Sequence, residues 1–146
     1  MRYQQRYFER LRQDQIRLQN SRAYYYGRPD YRYYRGGRYY ETSQYGADLL
    51  RQAVRNGYEE GVRAGQADRE DGYRFSYQDS LAFQDASYGY NSYNVDLSEY
   101  NYYFREGFRR GYEDGYYSRT RYGTYSNGVF NILGNILLGI FNAQNF

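Results

Sequence analysis

GYEEGVRAG (57–65) and GFRRGYEDG (107–115) each carry glycine at three positions spaced four residues apart. Around both segments, apolar residues recur every three or four positions, which predicts helices over about 49–68 and about 97–117. Glycine at i, i+4 and i+8 leaves a groove without side chains, so a second helix can come closer than the usual separation of about 8–10 Å. We therefore expect two glycine-zipper helices packed groove to groove.

The seam between these helices is expected to contain six glycines and four flanking aromatic residues. The seam glycines are Gly57, Gly61, Gly65, Gly107, Gly111 and Gly115. The flanking residues are Tyr58, Phe104, Phe108 and Tyr112. The long connection favours an antiparallel pair, and the economy of a single domain favours a seam within one chain over a seam between chains. Asp48 is expected to cap the first helix, and Asp96 with Glu99 forms a capping-box variant for the second.

The residue inventory excludes most familiar catalytic and metal-binding chemistry. The chain has 25 tyrosines but neither cysteine nor histidine, so it has no disulfide, no thiolate or imidazole metal ligand and no histidine base. Acidic residues that are adjacent in sequence diverge on a helix and are expected to be solvated. These are Glu59, Glu60, Glu70, Asp71, Glu113 and Asp114. We predict no catalytic, cofactor-binding or metal-binding residue, and a protein that is not an enzyme.

Charge is arranged along the chain in three blocks. Residues 1–45 carry ten arginines against four acids, residues 46–118 carry eight against thirteen, and residues 119–146 carry two against none. Lysine is absent, and arginine stacks on aromatic rings and forms bidentate pairs with carboxylates. Blocks of opposite sign, together with abundant tyrosine, therefore favour contacts between one copy of the chain and the next.

Residues 1–45 are expected to form a helix followed by an arm rich in tyrosine and arginine. Within residues 2–20, one stripe of a helix would hold Tyr3, Tyr7, Leu11 and Leu18. Residues 24–45 have neither helical nor strand periodicity, which predicts an irregular arm. Its candidate assembly contacts are Arg32, Arg35 and Arg38. Alternatively, the basic and aromatic residues of 22–40 bind single-stranded nucleic acid.

Residues 46–119 are expected to form the glycine-zipper domain, with one short helix between the two long ones, and residues 120–146 an aliphatic tail. The stretch GVFNILGNILLGIF (128–141) is too short to span a bilayer, and either a helix or a strand fits it. It is expected to cover the helix pair as a core helix, to contact another copy, or to lie on a membrane surface. The candidate contact residues are Phe130, Leu133, Leu137, Ile140 and Phe141.

Three segments taken together resemble a group of uncharacterised bacterial proteins of the acidobacterial type, rich in tyrosine, glycine and arginine. The segments are NGYEEGVRAGQADRED, FQDASYGYNSY and FREGFRRGYEDGYYSR. Proteins of that group carry YxxGYxxG helical repeats around a DAxxGYNS-like linker. The resemblance covers about residues 50–119. It implies the two-helix architecture and no particular activity.

The sequence as a whole predicts a mainly α protein, with a small domain built on two glycine-zipper helices and with tyrosine-rich irregular arms. We expect a non-enzymatic structural protein that assembles with itself, as a filament or an extracellular layer; the alternative is a nucleic-acid-binding protein. Neither a cofactor nor a transmembrane segment is expected. An extracellular or cell-surface location is expected if a signal peptide was removed, and a cytoplasmic location otherwise.

Overall fold

A computed structural model describes residue 3 and residues 6–12, 29–90 and 95–145. In these ranges the protein is mainly helical, which confirms the predicted class. The long helices are α2 (Gln44–Glu70) and α4 (Leu97–Tyr116). The shorter elements are helix α1 (residue 3 and residues 6–12), strands β1 (Tyr31–Arg35) and β2 (Arg38–Thr42), a 3₁₀ turn (Tyr77–Asp79), helix α3 (Leu81–Asp85), strands β3 (Gly123–Ser126) and β4 (Val129–Ile132), helix α5 (Gly134–Ile140) and strand β5 (Gln144–Asn145).

The starts of the two long helices differ from the predicted capping. Helix α2 begins after Ser43, whose hydroxyl accepts the backbone N–H of Gly46 at 3.1 Å, so the prediction that Asp48 caps this helix is wrong. Helix α4 begins after Asp96 as predicted, but the Asp96 side chain makes no capping hydrogen bond. The capping box is therefore wrong as well, because the carboxylate of Glu99 accepts hydrogen bonds from the β1 strand instead.

Helices α2 and α4 run parallel, and the predicted antiparallel arrangement is wrong. Gly57 lies against the backbone of Phe104 near the start of α4, and Gly65 lies against the backbone of Tyr112 two turns later. Residue numbers thus increase in the same direction along both helices. The contact lies within one chain.

The described residues of the connection, 71–90, run back along α4, which makes the parallel arrangement possible. At the C-terminal end of α4, the Tyr116 hydroxyl donates to the carbonyl oxygen of Tyr73 at 2.6 Å. Near the N-terminal end, the Tyr100 hydroxyl donates to the carbonyl oxygen of Tyr88. A parallel pair needs a crossover of this length, as parallel strands do, whereas a short loop joins only antiparallel neighbours.

The Tyr/Arg-rich arm is a β-hairpin where the structure describes it, so the predicted irregular conformation is wrong for residues 31–42. Strands β1 and β2 pair antiparallel around Gly36 and Gly37, which both have positive φ, as two-residue hairpin turns require. A third strand, β5, pairs with β1, which gives the order β2-β1-β5. The helix at 6–12 buries Tyr7 and Leu11 together with Tyr3; Leu18 and residues 24–28 lie outside the described ranges.

The C-terminal tail is part helix and part strand. Strand β4 pairs antiparallel with β3, and helix α5 follows it. Leu137 and Phe141 are buried in the core of the same chain. The ring of Phe141 lies 5.1 Å from that of Tyr33 and 5.0 Å from that of Tyr103, measured between ring centroids. None of the helices in the described ranges combines the length and the apolar character needed to cross a membrane.

A methyl group added at the seam should be far more costly than one added at an open helical glycine. In Gly61→Ala, the new Cβ would lie 2.8 Å from the amide nitrogen of Tyr112 and closer still to the carbonyl oxygen of Phe108. We expect urea denaturation to show a loss of about 3 kcal/mol in the free energy of unfolding, because backbone must move. The control is Gly139→Ala in α5, which has nothing within 4 Å of the added Cβ and should leave stability unchanged or raised by about 1 kcal/mol. Equal effects of the two substitutions would contradict the close approach.

Candidate functional site

The seam residues identified from the sequence meet at the contact between α2 and α4. A Cβ added at any of the six glycines would come within 3.0 Å of backbone atoms of the opposite helix. The four flanking aromatic residues are all buried. Along one face of α4, aromatic rings also stack at successive i, i+4 positions with centroids 5.9–6.3 Å apart. These rings are Tyr100, Phe104, Phe108, Tyr112 and Tyr116.

Among the described residues, five tyrosine hydroxyls donate hydrogen bonds to carboxylates that are distant in sequence. The pairs are Tyr3 with Glu60 (2.8 Å), Tyr7 with Asp85 (2.9 Å), Tyr33 with Glu99 (2.6 Å), Tyr58 with Asp114 (2.8 Å) and Tyr112 with Asp68 (2.5 Å). A buried hydroxyl needs a partner, and a buried carboxylate needs donors. Each pair gives the hydroxyl a partner and joins two elements of the fold. Glu60, Glu99 and Asp114 are themselves buried, whereas Asp68 is half-buried and Asp85 is exposed.

Two acids that were expected to be solvated are buried, so that prediction is wrong for Glu60 and Asp114. Glu60 is 1% exposed and faces α1, from which the Arg10 guanidinium donates to its Oε2 at 2.7 Å and the Tyr3 hydroxyl donates at 2.8 Å. Adjacent carboxylates do diverge on a helix, but α1 covers the side of α2 that carries Glu60. The spacing of the acids along α2 does not indicate that α1 packs on this side of the helix.

Asp114 ties the end of α4 to the chain that follows it. Its carboxylate accepts the Tyr58 hydroxyl from α2 and the backbone N–H groups of Arg121 and Tyr122, at 3.1 and 2.9 Å. Three donors satisfy a buried charge without an ion pair. The first residues of the β3–β4 hairpin are thereby anchored to the helix pair.

Burial dominates the acid–base properties of these tyrosines. It raises the pKa of Tyr58 well above the ordinary tyrosine value, and the hydrogen bond to Asp114 raises it further because an ionised phenol would repel the carboxylate. The pKa of Tyr7 is raised in the same way, first by burial and then by Asp85. These hydroxyls therefore act as fixed donors and not as proton-transfer groups at neutral pH.

The outward face of the β1–β2 hairpin is the most exposed aromatic surface that we identify. Tyr34 and Tyr39 are cross-strand partners, 60% and 67% exposed, with ring centroids 5.1 Å apart. The neighbouring cross-strand pair on the same face is Arg32 with Glu41. The Arg32 guanidinium lies 5.1 Å from the Tyr39 ring centroid, within cation–π range. We call Arg32, Tyr34, Tyr39 and Glu41 the hairpin face.

The candidate assembly contacts separate into exposed and internal residues. Arg32 and Arg38 are exposed on the hairpin. Arg35 instead forms an ion pair with Glu99 of α4, and Leu137 and Phe141 belong to the core. The remaining three candidates, Phe130, Leu133 and Ile140, are half-buried.

Tyr34, Tyr39 and Glu41 were not identified from the sequence as contact residues. The signal that could have found them is the Gly36-Gly37 pair between two tyrosine-rich runs of five residues, which is typical of a two-residue hairpin. Alternation along such strands sends every second side chain to the exposed face.

A comparison with protein-family models, with curated proteins and with solved structures finds no match to this chain. The resemblance to the acidobacterial-type proteins therefore stays a prediction. Within the ranges that the structure describes, no group of three or more acidic side chains is arranged to hold a metal ion. What the structure does offer is a rigid helical core with an exposed aromatic and charged hairpin.

Removal of one buried tyrosine hydroxyl should destabilise the protein, whereas removal of an exposed one should not. Tyr58→Phe deprives the buried Asp114 carboxylate of one of its three donors. We expect urea denaturation to show a loss of about 1–3 kcal/mol in the free energy of unfolding. The matched control is Tyr34→Phe on the hairpin face, which should change stability by less than about 0.5 kcal/mol. A Tyr58→Phe protein as stable as the control would show that Asp114 does not depend on this hydroxyl.

Stability should fall steeply in alkaline solution. Tyr3, Tyr7, Tyr33, Tyr58 and Tyr112 keep their protons in the folded state because burial raises their pKa values. In the unfolded state these tyrosines ionise near pH 10. Above about pH 10 the folded state therefore binds more protons than the unfolded state, and the free energy of unfolding falls by about 1.4 kcal/mol per tyrosine per pH unit. Below that pH the contribution is fully present. Urea denaturation from about pH 9 to about pH 11 measures the slope, which Tyr58→Phe should reduce; a flat profile would contradict the buried network.

Proposed function

We propose that this protein is a non-enzymatic structural protein that assembles with copies of itself through the hairpin face. The observation that carries the proposal is the exposure of Tyr34 and Tyr39 beside two opposite charges, Arg32 and Glu41, on one face of a short hairpin. Large aromatic residues and arginine are the side chains enriched at protein interfaces. A filament or an extracellular layer is the form of assembly that we propose.

A rigid helical unit supports this hairpin. We take α2 and α4 as a glycine-zipper pair, because the backbone of each helix lies against the glycines of the other. Only Ser43 separates the last residue of β2 from the first residue of α2. The inward face of the hairpin is also held, because Tyr33 donates to Glu99 and Arg35 pairs with the same carboxylate. A surface fixed in this way loses little conformational entropy on association.

Strand β2 adds a second feature that favours assembly. It lies at the edge of the sheet, and in the part of the chain that the structure describes only β1 pairs with it. An edge strand presents unpaired backbone donors and acceptors to another strand. A second copy of β2 could add to this edge antiparallel, which would extend the sheet and bring the two hairpin faces side by side.

The charges of the hairpin face favour a second copy over nucleic acid. Arg32 and Glu41 are cross-strand neighbours, so the same patch on a partner related by a two-fold axis offers the complementary charge to each. A nucleic-acid site needs uncompensated positive charge along a phosphate backbone. Here Glu41 opposes Arg32, and Arg35 is paired with Glu99.

A polymer needs a second contact surface besides the hairpin face, because a single two-fold contact closes into a dimer. The β3–β4 hairpin can supply it. Tyr125 is 60% exposed, and Val129 in the paired strand is also exposed. Among the described residues, no further strand pairs with β3 or β4. Leu137 and Phe141 are buried in the core, so the proposed contacts use exposed residues of the two hairpins.

A charge-exchange experiment tests whether the hairpin face contacts another copy. Arg32→Glu leaves two acids on the face and Glu41→Arg leaves two arginines, so each variant alone should repel itself and remain monomeric where the original chain associates. An equimolar mixture of the two variants should associate again, because an acidic face then meets a basic one. Light scattering with size-exclusion chromatography measures the mass, and electron microscopy shows whether filaments or sheets form.

The mixture separates a contact between chains from an effect within one chain. If Arg32 and Glu41 act only within one chain, mixing the two variants should not restore association. Arg55→Glu, at an exposed position of α2, is the charge-matched control and should associate like the original chain. A monomeric original chain at all concentrations, or unchanged association of both single variants, would overturn the proposal; salt-dependent binding of single-stranded oligonucleotide by that monomer would support the nucleic-acid alternative.

A further inference from the structure

A cavity of about 300 Å³ lies between α2, the first described residue of α1 and the segment that follows α2. Ala64 and Asp68 of α2 form one wall, and the ring-bearing residues Tyr3 and Tyr73 contribute apolar surface. Ser80, just before α3, also lines the cavity. The volume suits a ligand of a few heavy atoms, at the lower end of the range for small-molecule sites.

The lining of this cavity holds two acids, Asp68 and Asp79, against one arginine, Arg74. The Asp68 carboxylate accepts the Tyr112 hydroxyl, and across the described residues no arginine forms an ion pair with it. Burial raises the pKa of the Asp68 carboxyl, and the neighbouring charges of Asp71 and Asp79 raise it further, while the Tyr112 hydrogen bond lowers it. Arg74 also lines the cavity, but it is exposed.

Ser80 supplies a second, independent feature of the cavity. The residue is 6% exposed, and its hydroxyl oxygen has no hydrogen-bond partner. It occupies the N-cap position of α3, where a serine hydroxyl normally accepts a backbone N–H, yet no capping bond forms. A buried polar group without a partner calls for a specific explanation, and a ligand that donates a hydrogen bond provides one.

We propose that this cavity binds a small organic cation, whose ammonium group donates hydrogen bonds to Asp68 and Ser80. A carboxylate has about four acceptor positions, and Tyr112 uses one of those on Asp68. The carbon chain of the cation lies against Ala64 and the aromatic rings, where its apolar surface is removed from water. An organic cation fits better than a metal ion because the described acidic side chains do not converge into a group that could hold a metal.

Isothermal titration calorimetry of the full chain tests this with n-butylammonium chloride as the probe. n-Butanol and sodium butyrate, at matched ionic strength, keep the carbon chain and remove or invert the charge. We expect n-butylammonium to bind with a Kd on the order of millimolar, and neither control compound to bind measurably. Equal binding of butanol, or no binding of n-butylammonium, would overturn the proposal.

Variants then locate the binding site. Asp68→Asn keeps the shape and the acceptor for Tyr112, and it should weaken n-butylammonium binding by about tenfold. Ser80→Ala removes only the hydroxyl without a partner, so it should fold normally and weaken binding by about threefold. Asp48→Asn, at an exposed acid of α2 outside the cavity, is the matched control and should bind as the original chain does. If the Ser80→Ala protein bound n-butylammonium with unchanged affinity, the proposed location of the site would be contradicted, even if Asp68→Asn failed to fold.

Discussion

The contact between the backbones of α2 and α4 is the constraint on which the rest of the structure depends. Gly57 and Gly65 lie against the backbone of α4, and Gly107 and Gly115 lie against that of α2. Each helical glycine costs about 1 kcal/mol relative to alanine, and the close approach recovers this through dispersion and Cα–H···O contacts. Because no side chain fills the seam, the large rings must lie on either side of it, and there their hydroxyls need partners.

For Tyr58 and Tyr112 those partners are carboxylates, and the same pairing helps to explain how a chain with few aliphatic residues and 25 tyrosines forms a core. Each hydroxyl that meets a buried acid satisfies two polar groups at once and connects two elements. The same arrangement determines what is left for the surface. Asp114 holds the start of the β3–β4 hairpin and Glu99 holds β1, so both hairpins project from a fixed core.

The structure shows which of the candidate contact residues lie at the surface. The apolar tail, expected to cover the helix pair, to contact another copy or to lie on a membrane surface, contributes Leu137 and Phe141 to the core. The arm, expected to be irregular, is a hairpin that presents Tyr34 and Tyr39 in fixed positions. Association through a fixed aromatic surface costs less conformational entropy than association through a flexible arm. The tyrosine and arginine chemistry of the proposal is therefore retained, while the residues that carry it change.

The sequence by itself determined the features that depend on local spacing. Glycines four residues apart share one stripe of a helix, so the mainly α class and the extent of α4 could be predicted. Glycines four residues apart form the same stripe whichever way a helix runs, so the spacing could not decide that α4 runs parallel to α2. That depends on the connection between the two helices, whose described residues 71–90 run back along α4. Tertiary structure alone also decided the burial of Glu60 and Asp114, because a carboxylate is buried when distant donors such as Arg10 reach it, and periodicity along one helix contains no information about them.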